Sequence, residues 1–214
     1  MTNVHYYTRG EEIANATIHG IGALLSVAAL IILIVFSSFN STSWGVVSVV
    51  IFGVTMIFLY TSSTLVHALP SGTAKHVFEI LDHSSIYFFI LGSYTPFLLV
   101  AIRGELGWFL FSVISCIAIG GTIFKCFFVR KYLFASTFLY LIMGWMIIFA
   151  WKPLMLNLPF SSIQLLFLGG LFYTAGTIFY MFKSFKFHHA IWHLFVLFGS
   201  IAHFFSILFL ILMH

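Results

Sequence analysis

The chain has 214 residues, of which 62% are hydrophobic, 20% aromatic and only 7% charged, with a formal net charge of +4. Soluble domains carry about 25% charged residues, so this composition cannot cover a water-facing surface, and its hydrophobicity excludes a disordered chain. Two cysteines, Cys116 and Cys126, are too few for a disulfide-stapled domain and read as small buried hydrophobes. What remains is an all-α, polytopic membrane protein.

The spans follow from the charge-free runs. No Asp, Glu, Lys or Arg occurs from residue 13 to residue 74, and the turn cluster Asn40-Ser41-Thr42-Ser43 divides this run into helices over 14–38 and 44–68. Further runs supply the ~20 apolar residues that cross a bilayer core, giving helices over 80–102, 106–127, 132–152, 161–182 and 188–212. The expectation is one seven-helix domain over 1–214 with short connections, so that sequential helices are antiparallel neighbours. The first span follows Arg9, Glu11 and Glu12 and lacks a cleavage-like small-residue site, so it reads as a retained helix and not a signal peptide.

Orientation rests on the basic residues. Arg9, Lys75, Lys125, Arg130, Lys131, Lys183 and Lys186 fall on the side of the N-terminus, and Arg103 and Lys152 on the other. This places the N-terminus in the cytoplasm and the C-terminus outside, in the cell membrane. The same bias accounts for most of the net charge, so no nucleic-acid partner is implied.

In chain order, helix 1 opens with Glu12, Asn15 and His19 at i, i+3 and i+7, one polar stripe suited to an interhelical hydrogen-bond network. Helix 2 ends with Ser63 and His67 one turn apart. Asp82 opens helix 3, and Pro96 interrupts its middle, where a kink is expected. Gly120-Gly121, Gly169-Gly170 and Gly176 allow close helix approach, and Trp44, Trp108 and Trp151 suit an interfacial belt. Helix 7 opens with His189 and His193, an i,i+4 pair whose imidazoles can point at one ion.

Of the ten histidines, His5 and His214 are terminal, His76 reads as solvated in a connection, and His83, His188 and His203 are unassigned by pattern. His67, His189 and His193 lie at one membrane depth. Three neutral imidazoles leave a fourth tetrahedral position for water, the arrangement of a catalytic zinc. Such an ion polarises carbonyls and lowers the pKa of water, although imidazole also suits other transition metals. Asp82 reads either as a helix-start carboxylate or as the group that holds the water or takes its proton. Ser63 reads either as back-bonded to its own helix or as an oxyanion donor.

These stretches carry a resemblance over nearly the whole chain. Ser63-Thr64-Leu65-Val66-His67, Leu81-Asp82-His83-Ser84-Ser85-Ile86, His189-Ala190-Ile191-Trp192-His193 and the Glu12…Asn15…His19 pattern fall in the right order on the right helices for a hemolysin III protein. That is the short prokaryotic branch of the progestin and adiponectin receptor family, related to the alkaline ceramidases. The resemblance implies a seven-helix protein with Zn2+ near the cytoplasmic face. His67, His189 and His193 would be the ligands, with Asp82 and Ser63 beside them. No counterpart of the long N-terminal cytoplasmic domain of the eukaryotic receptors is expected from this sequence, so the metal site is the stronger part of the likeness. A zinc-dependent hydrolase of a membrane lipid amide or ester is the leading expectation. A lipid or membrane-state sensor with a structural zinc, or a membrane-disturbing cytolysin, is the alternative.

Overall fold

The computed structural model describes residues 7–213, and His5 and His214 lie outside them. Among the described residues every regular element is helical, and seven helices are long and apolar enough to cross a membrane. They are α1 (Arg9–Asn40), α2 (Ser43–Ala68), α3 (Thr73–Ala101), α4 (Glu105–Phe128), α5 (Leu133–Asn157), α6 (Phe160–Met181) and α7 (His188–Met213). Helix α1 packs between α2 and α7. Helix α3 packs against α2 and α4, and α6 against α7.

The packing inverts the usual amphipathic pattern. The buried stripe of α1 is Glu11, Asn15, His19, Gly22, Ser26, Ala29, Leu33 and Ser37, spaced by three or four residues. Its exposed face carries Ile21, Leu24, Ile31 and Phe39. Small and polar residues inside with large apolar ones outside is the arrangement favoured where the surroundings are lipid.

Close approach depends on glycine at three of the expected positions. A Cβ on Gly121 would overlap the Tyr87 ring, one on Gly169 the His203 imidazole, and one on Gly176 Trp192 and Phe195. Gly120 faces open space instead, and Gly170 has room for a Cβ at ordinary contact distance from Trp145. Trp44 and Trp108 meet edge to face at 5.5 Å, with the Arg103 guanidinium 4.5 Å above Trp44.

Two interruptions have local causes. Pro96 lies near the end of α3, not its middle, and cannot donate to the helix ladder, so the chain continues as a π turn over Phe97–Ala101. Helix α5 tightens to a 3-10 turn over Met146–Ala150. There the Tyr94 hydroxyl lies 2.9 and 2.7 Å from the Met143 and Gly144 carbonyls and accepts the Ile147 N–H at 2.8 Å. A side chain from α3 thus satisfies backbone groups that the break in α5 frees, as an apolar setting requires.

Helix α3 begins at Thr73, so Lys75, His76 and Glu79, read from the sequence as part of a connection, are helical, and Asp82 lies in the third turn instead of opening the helix. Glu79 accepts two bonds from Arg130 Nε, at 2.8 and 2.9 Å, and one from Nη2 at 2.7 Å, tying α3 to the α4–α5 connection. The ends of α2 and α4 and the starts of α1, α3 and α7 meet at this end of the bundle, and the polar residues of interest gather there.

Candidate metal centre

His67 is on the last turn of α2, and His189 and His193 are on the first two turns of α7. Each offers a ring nitrogen, and the three nitrogens lie within 4.8 Å of one another, close enough to share a metal ion. The rings are 5.2 Å (His67–His189), 5.1 Å (His67–His193) and 4.5 Å (His189–His193) apart between centroids. Helix α1 lies against both α2 and α7 and brings their ends together.

The bonds made by the other ring nitrogens orient the set. His67 Nδ1–H donates to Glu12 Oε2 at 2.6 Å, and the Asn15 side-chain amide approaches the same nitrogen at 3.4 Å. A carboxylate only accepts, so this contact places the proton on Nδ1 and the lone pair on Nε2. His67 Nε2 is buried and has no hydrogen-bond partner. The second Glu12 oxygen accepts from Lys75 Nζ at 2.9 Å. His193 Nδ1–H donates to the Asn15 carbonyl at 3.3 Å, which again leaves Nε2 to face the cluster. His189 Nδ1 is buried without a partner. The donor set fits a metal: three convergent imidazoles, orphaned lone pairs, and a carboxylate behind one ligand. His67 is 8% exposed and His193 1%, so nitrogen atoms of this kind would otherwise lose their hydration without replacement.

The helix-1 stripe divides. Glu12 joins the interhelical network through His67, and Asn15 through the bond of its backbone carbonyl to His193. His19 does not: both its ring nitrogens are buried without partners, and its ring stacks on His193 at 3.5 Å, nearly parallel at 11°. Glu11, which pattern reading passed over, is 4% exposed and accepts the Phe187 N–H at 3.0 Å.

The cluster opens onto a polar cavity of about 520 Å³. Tyr7, Ser63, Asp82 and the three histidines are on its wall. Ser63 is 1% exposed, and its Oγ stands beside the Asp82 carboxylate with no other partner. At the rim, partial burial lowers the pKa of Lys183. Burial raises that of the Tyr7 phenol, with Tyr180, Glu12, Asp82 and Glu11 adding to the effect, so the phenol stays protonated at neutral pH. Tyr7 was not singled out in the sequence, because it precedes the first helix and belongs to no periodic pattern. A second, mostly apolar cavity of about 120 Å³ between α3, α5, α6 and α7 shares Leu59, Ile86, Tyr180, Trp192 and Val196 with the first.

The remaining histidines have other duties. His83 Nδ1–H donates to the Glu79 carbonyl at 2.8 Å, and its Nε2 lies 3.2 Å from the Tyr180 hydroxyl. His188 Nδ1–H donates to the Phe179 carbonyl at 2.9 Å, fastening α7 to α6. His203 Nε2–H donates to the Leu166 carbonyl at 3.2 Å, deep in the bundle. His76 is exposed on the first turn of α3, 3.4 Å from Glu79.

Comparison with known proteins shows the family of the chain. The family model described as Haemolysin-III related matches residues 7–204. Hemolysin-3 homolog of Bacillus subtilis (strain 168) is 52% identical over 203 residues, 95% of each chain. Hemolysin-3 of Bacillus cereus is 51% identical over 212 residues, 99% of this chain and 96% of the other. The human Monocyte to macrophage differentiation factor is 32% identical over 208 residues, 92% of this chain and 83% of its own. The chain belongs to the haemolysin-III related family of multi-pass membrane proteins.

Proposed function

We propose that this haemolysin-III related chain is a zinc-dependent intramembrane hydrolase of a lipid amide or ester. The observation that carries the reading is the convergence of three imidazole nitrogens within 4.8 Å on the wall of a polar cavity that adjoins an apolar one. His67, His189 and His193 would hold the ion. Bound there, zinc supplies Lewis acidity toward a carbonyl and toward water. Asp82 takes the proton from the attacking water and returns it to the leaving group. Ser63, whose hydroxyl has no other partner, donates to the carbonyl oxygen as charge develops on it. The smaller cavity receives acyl chain, since its wall is largely apolar and continuous with that of the first.

The bias of basic residues, six against two once the buried Lys125 is set aside, supports a cytoplasmic N-terminus and a cytoplasmic position for this end of the bundle, with the C-terminus outside the cell membrane. The whole chain acts as one domain.

The alternatives make different demands. A sensor with a structural zinc needs a lipid cavity but not the Asp82 carboxylate. A membrane-disturbing cytolysin needs neither. Asp82→Asn separates them, because the amide keeps the size and removes the basicity. The variant is expected to keep its zinc and its thermal stability while single-turnover cleavage of a panel of ceramides and other lipid amides falls about 10²–10⁴-fold. Full activity removes Asp82 from the mechanism. No cleavage by the unmodified protein across the panel rejects the hydrolase and favours the sensor.

A further inference from the structure

Tyr7 stands immediately before the Thr8 cap of α1. Its ring centroid is 5.1 Å from that of His189, 5.9 Å from His67 and 6.0 Å from His188. It meets His67 edge to face and His189 at a tilt, and it is on the wall of the polar cavity. Its hydroxyl is within electrostatic range of Tyr180, Glu12 and Asp82.

This placement is held by specific bonds. Thr8 donates its backbone N–H and its hydroxyl to Glu11 Oε2, at 2.9 and 2.8 Å, and the Glu11 N–H returns to Thr8 Oγ1 at 3.4 Å. That capping box sets the direction in which the chain joins α1. The other Glu11 oxygen accepts the Phe187 N–H at 3.0 Å. Phe187 immediately precedes α7, which carries His189 and His193. One buried carboxylate therefore registers the segment bearing Tyr7 against the helix bearing two of the clustered nitrogens. Covering the site would need only a ring. A phenol adds a donor to the wall of a cavity that Asp82 and Ser63 also line.

We propose that Tyr7 is a catalytic residue, whose hydroxyl donates a hydrogen bond to the carbonyl oxygen of an acyl amide or ester seated against the three histidines. It acts from the α1 side and Ser63 from α2. The proposal rests on the hydrolase reading for its role in turnover, but the carbonyl contact itself can be measured without turnover.

The test uses the full chain as purified in detergent and a fatty methyl ketone labelled with ¹³C at the carbonyl. The probe has a carbonyl and an acyl chain but no leaving group. Its infrared carbonyl band is compared in micelles alone, in the unmodified protein, in Tyr7→Phe and in Tyr7→Ala. The expected result is a shift to lower frequency in the unmodified protein that is clearly reduced in Tyr7→Phe, at unchanged zinc content and thermal stability. On a substrate that is cleaved, Tyr7→Phe is expected to lower kcat by about 10²–10³, the usual loss of one oxyanion donor. Equal bands and equal kcat in the unmodified protein and Tyr7→Phe overturn the proposal. A change confined to Tyr7→Ala also overturns it, because the ring then serves only as a cover. Should the unmodified protein cleave no lipid, a Tyr7-dependent band keeps the carbonyl contact while the hydrolase reading falls. The absence of any band shift in the unmodified protein rejects the contact itself.

Discussion

Glu12 is the most informative single site for testing the proposed metal centre. Its two carboxylate oxygens are both committed, Oε2 to His67 Nδ1 at 2.6 Å and Oε1 to Lys75 Nζ at 2.9 Å. Glu12→Gln offers one oxygen and one amide nitrogen in their place. With the oxygen toward His67, the amide N–H groups face the Lys75 ammonium, donor against donor. With the amide reversed, a donor faces His67 Nδ1 and drives its proton to Nε2, which removes the lone pair from the cluster. Either way the imidazole loses the charged acceptor that raises its basicity, and in the reversed orientation it also loses the bond that fixes its tautomer. Loss of such a partner typically lowers metal affinity about 10–100-fold, equivalent to about 1.4–2.8 kcal/mol. The control is Lys75→Gln, which leaves the carboxylate on His67. It removes a partly exposed ion pair, worth about 0–1 kcal/mol, so it should cost less than about fivefold. Zinc affinity is read by chelator competition on detergent-purified protein, with thermal unfolding in parallel. Unchanged affinity in Glu12→Gln, or an equal loss in Lys75→Gln, would refute the assignment of Glu12 as the partner that orients His67.

Two further outcomes are expected. Single alanine substitutions at His67, His189 and His193 should each strip zinc, while His76→Ala and His203→Ala should leave it in place. His203 lies roughly 15 Å of helix rise beyond His193, and its Nε2 is bonded to Leu166. Metal analysis of the five proteins decides, and zinc loss from His203→Ala would contradict the site. Reporter fusions should place residues 75 and 185 in the cytoplasm, and residue 155 and the C-terminus outside, with a cytoplasmic C-terminus refuting the orientation.

The number of spans was legible because burial in lipid leaves a coarse signature, about twenty residues without charge. What that signature hides is which face of a helix points inward. Lys125 was counted with the basic residues of the cytoplasmic edge. It is instead 0% exposed, on the α4 stripe of Gly107, Leu110, Ile114, Ala118 and Gly121, and its Nζ makes no hydrogen bond. A charge near a helix end reads the same whether it turns toward water or toward α3, and only the buried stripe upstream distinguishes the two. The extent of α3 was hidden for a related reason. Lys75, His76 and Glu79 break the hydrophobic run but not the helix, because side chains at a bundle's end reach water while their backbone stays in the ladder.

The three histidines were legible because an i,i+4 pair has a geometric consequence on its own helix, and one further imidazole at the same depth completes the set. Glu12 was legible only as part of a stripe. Its bond to His67 spans 55 residues and depends on α1 lying beside α2, which no local pattern dictates. His19 shows the limit of the same stripe: the periodicity that aimed it inward is correct, yet it ends stacked on His193 instead of joining the hydrogen bonds of its neighbours. Tyr7 left no trace of this kind. Its position comes from a capping box that is readable in Thr8 and Glu11, combined with a bond from Glu11 to Phe187 that is 176 residues away. Periodicity finds the residues that a helix delivers to its own face. The groups that orient and cover those residues come from helix starts, and the contacts that place them exist only once α1, α2 and α7 are packed together.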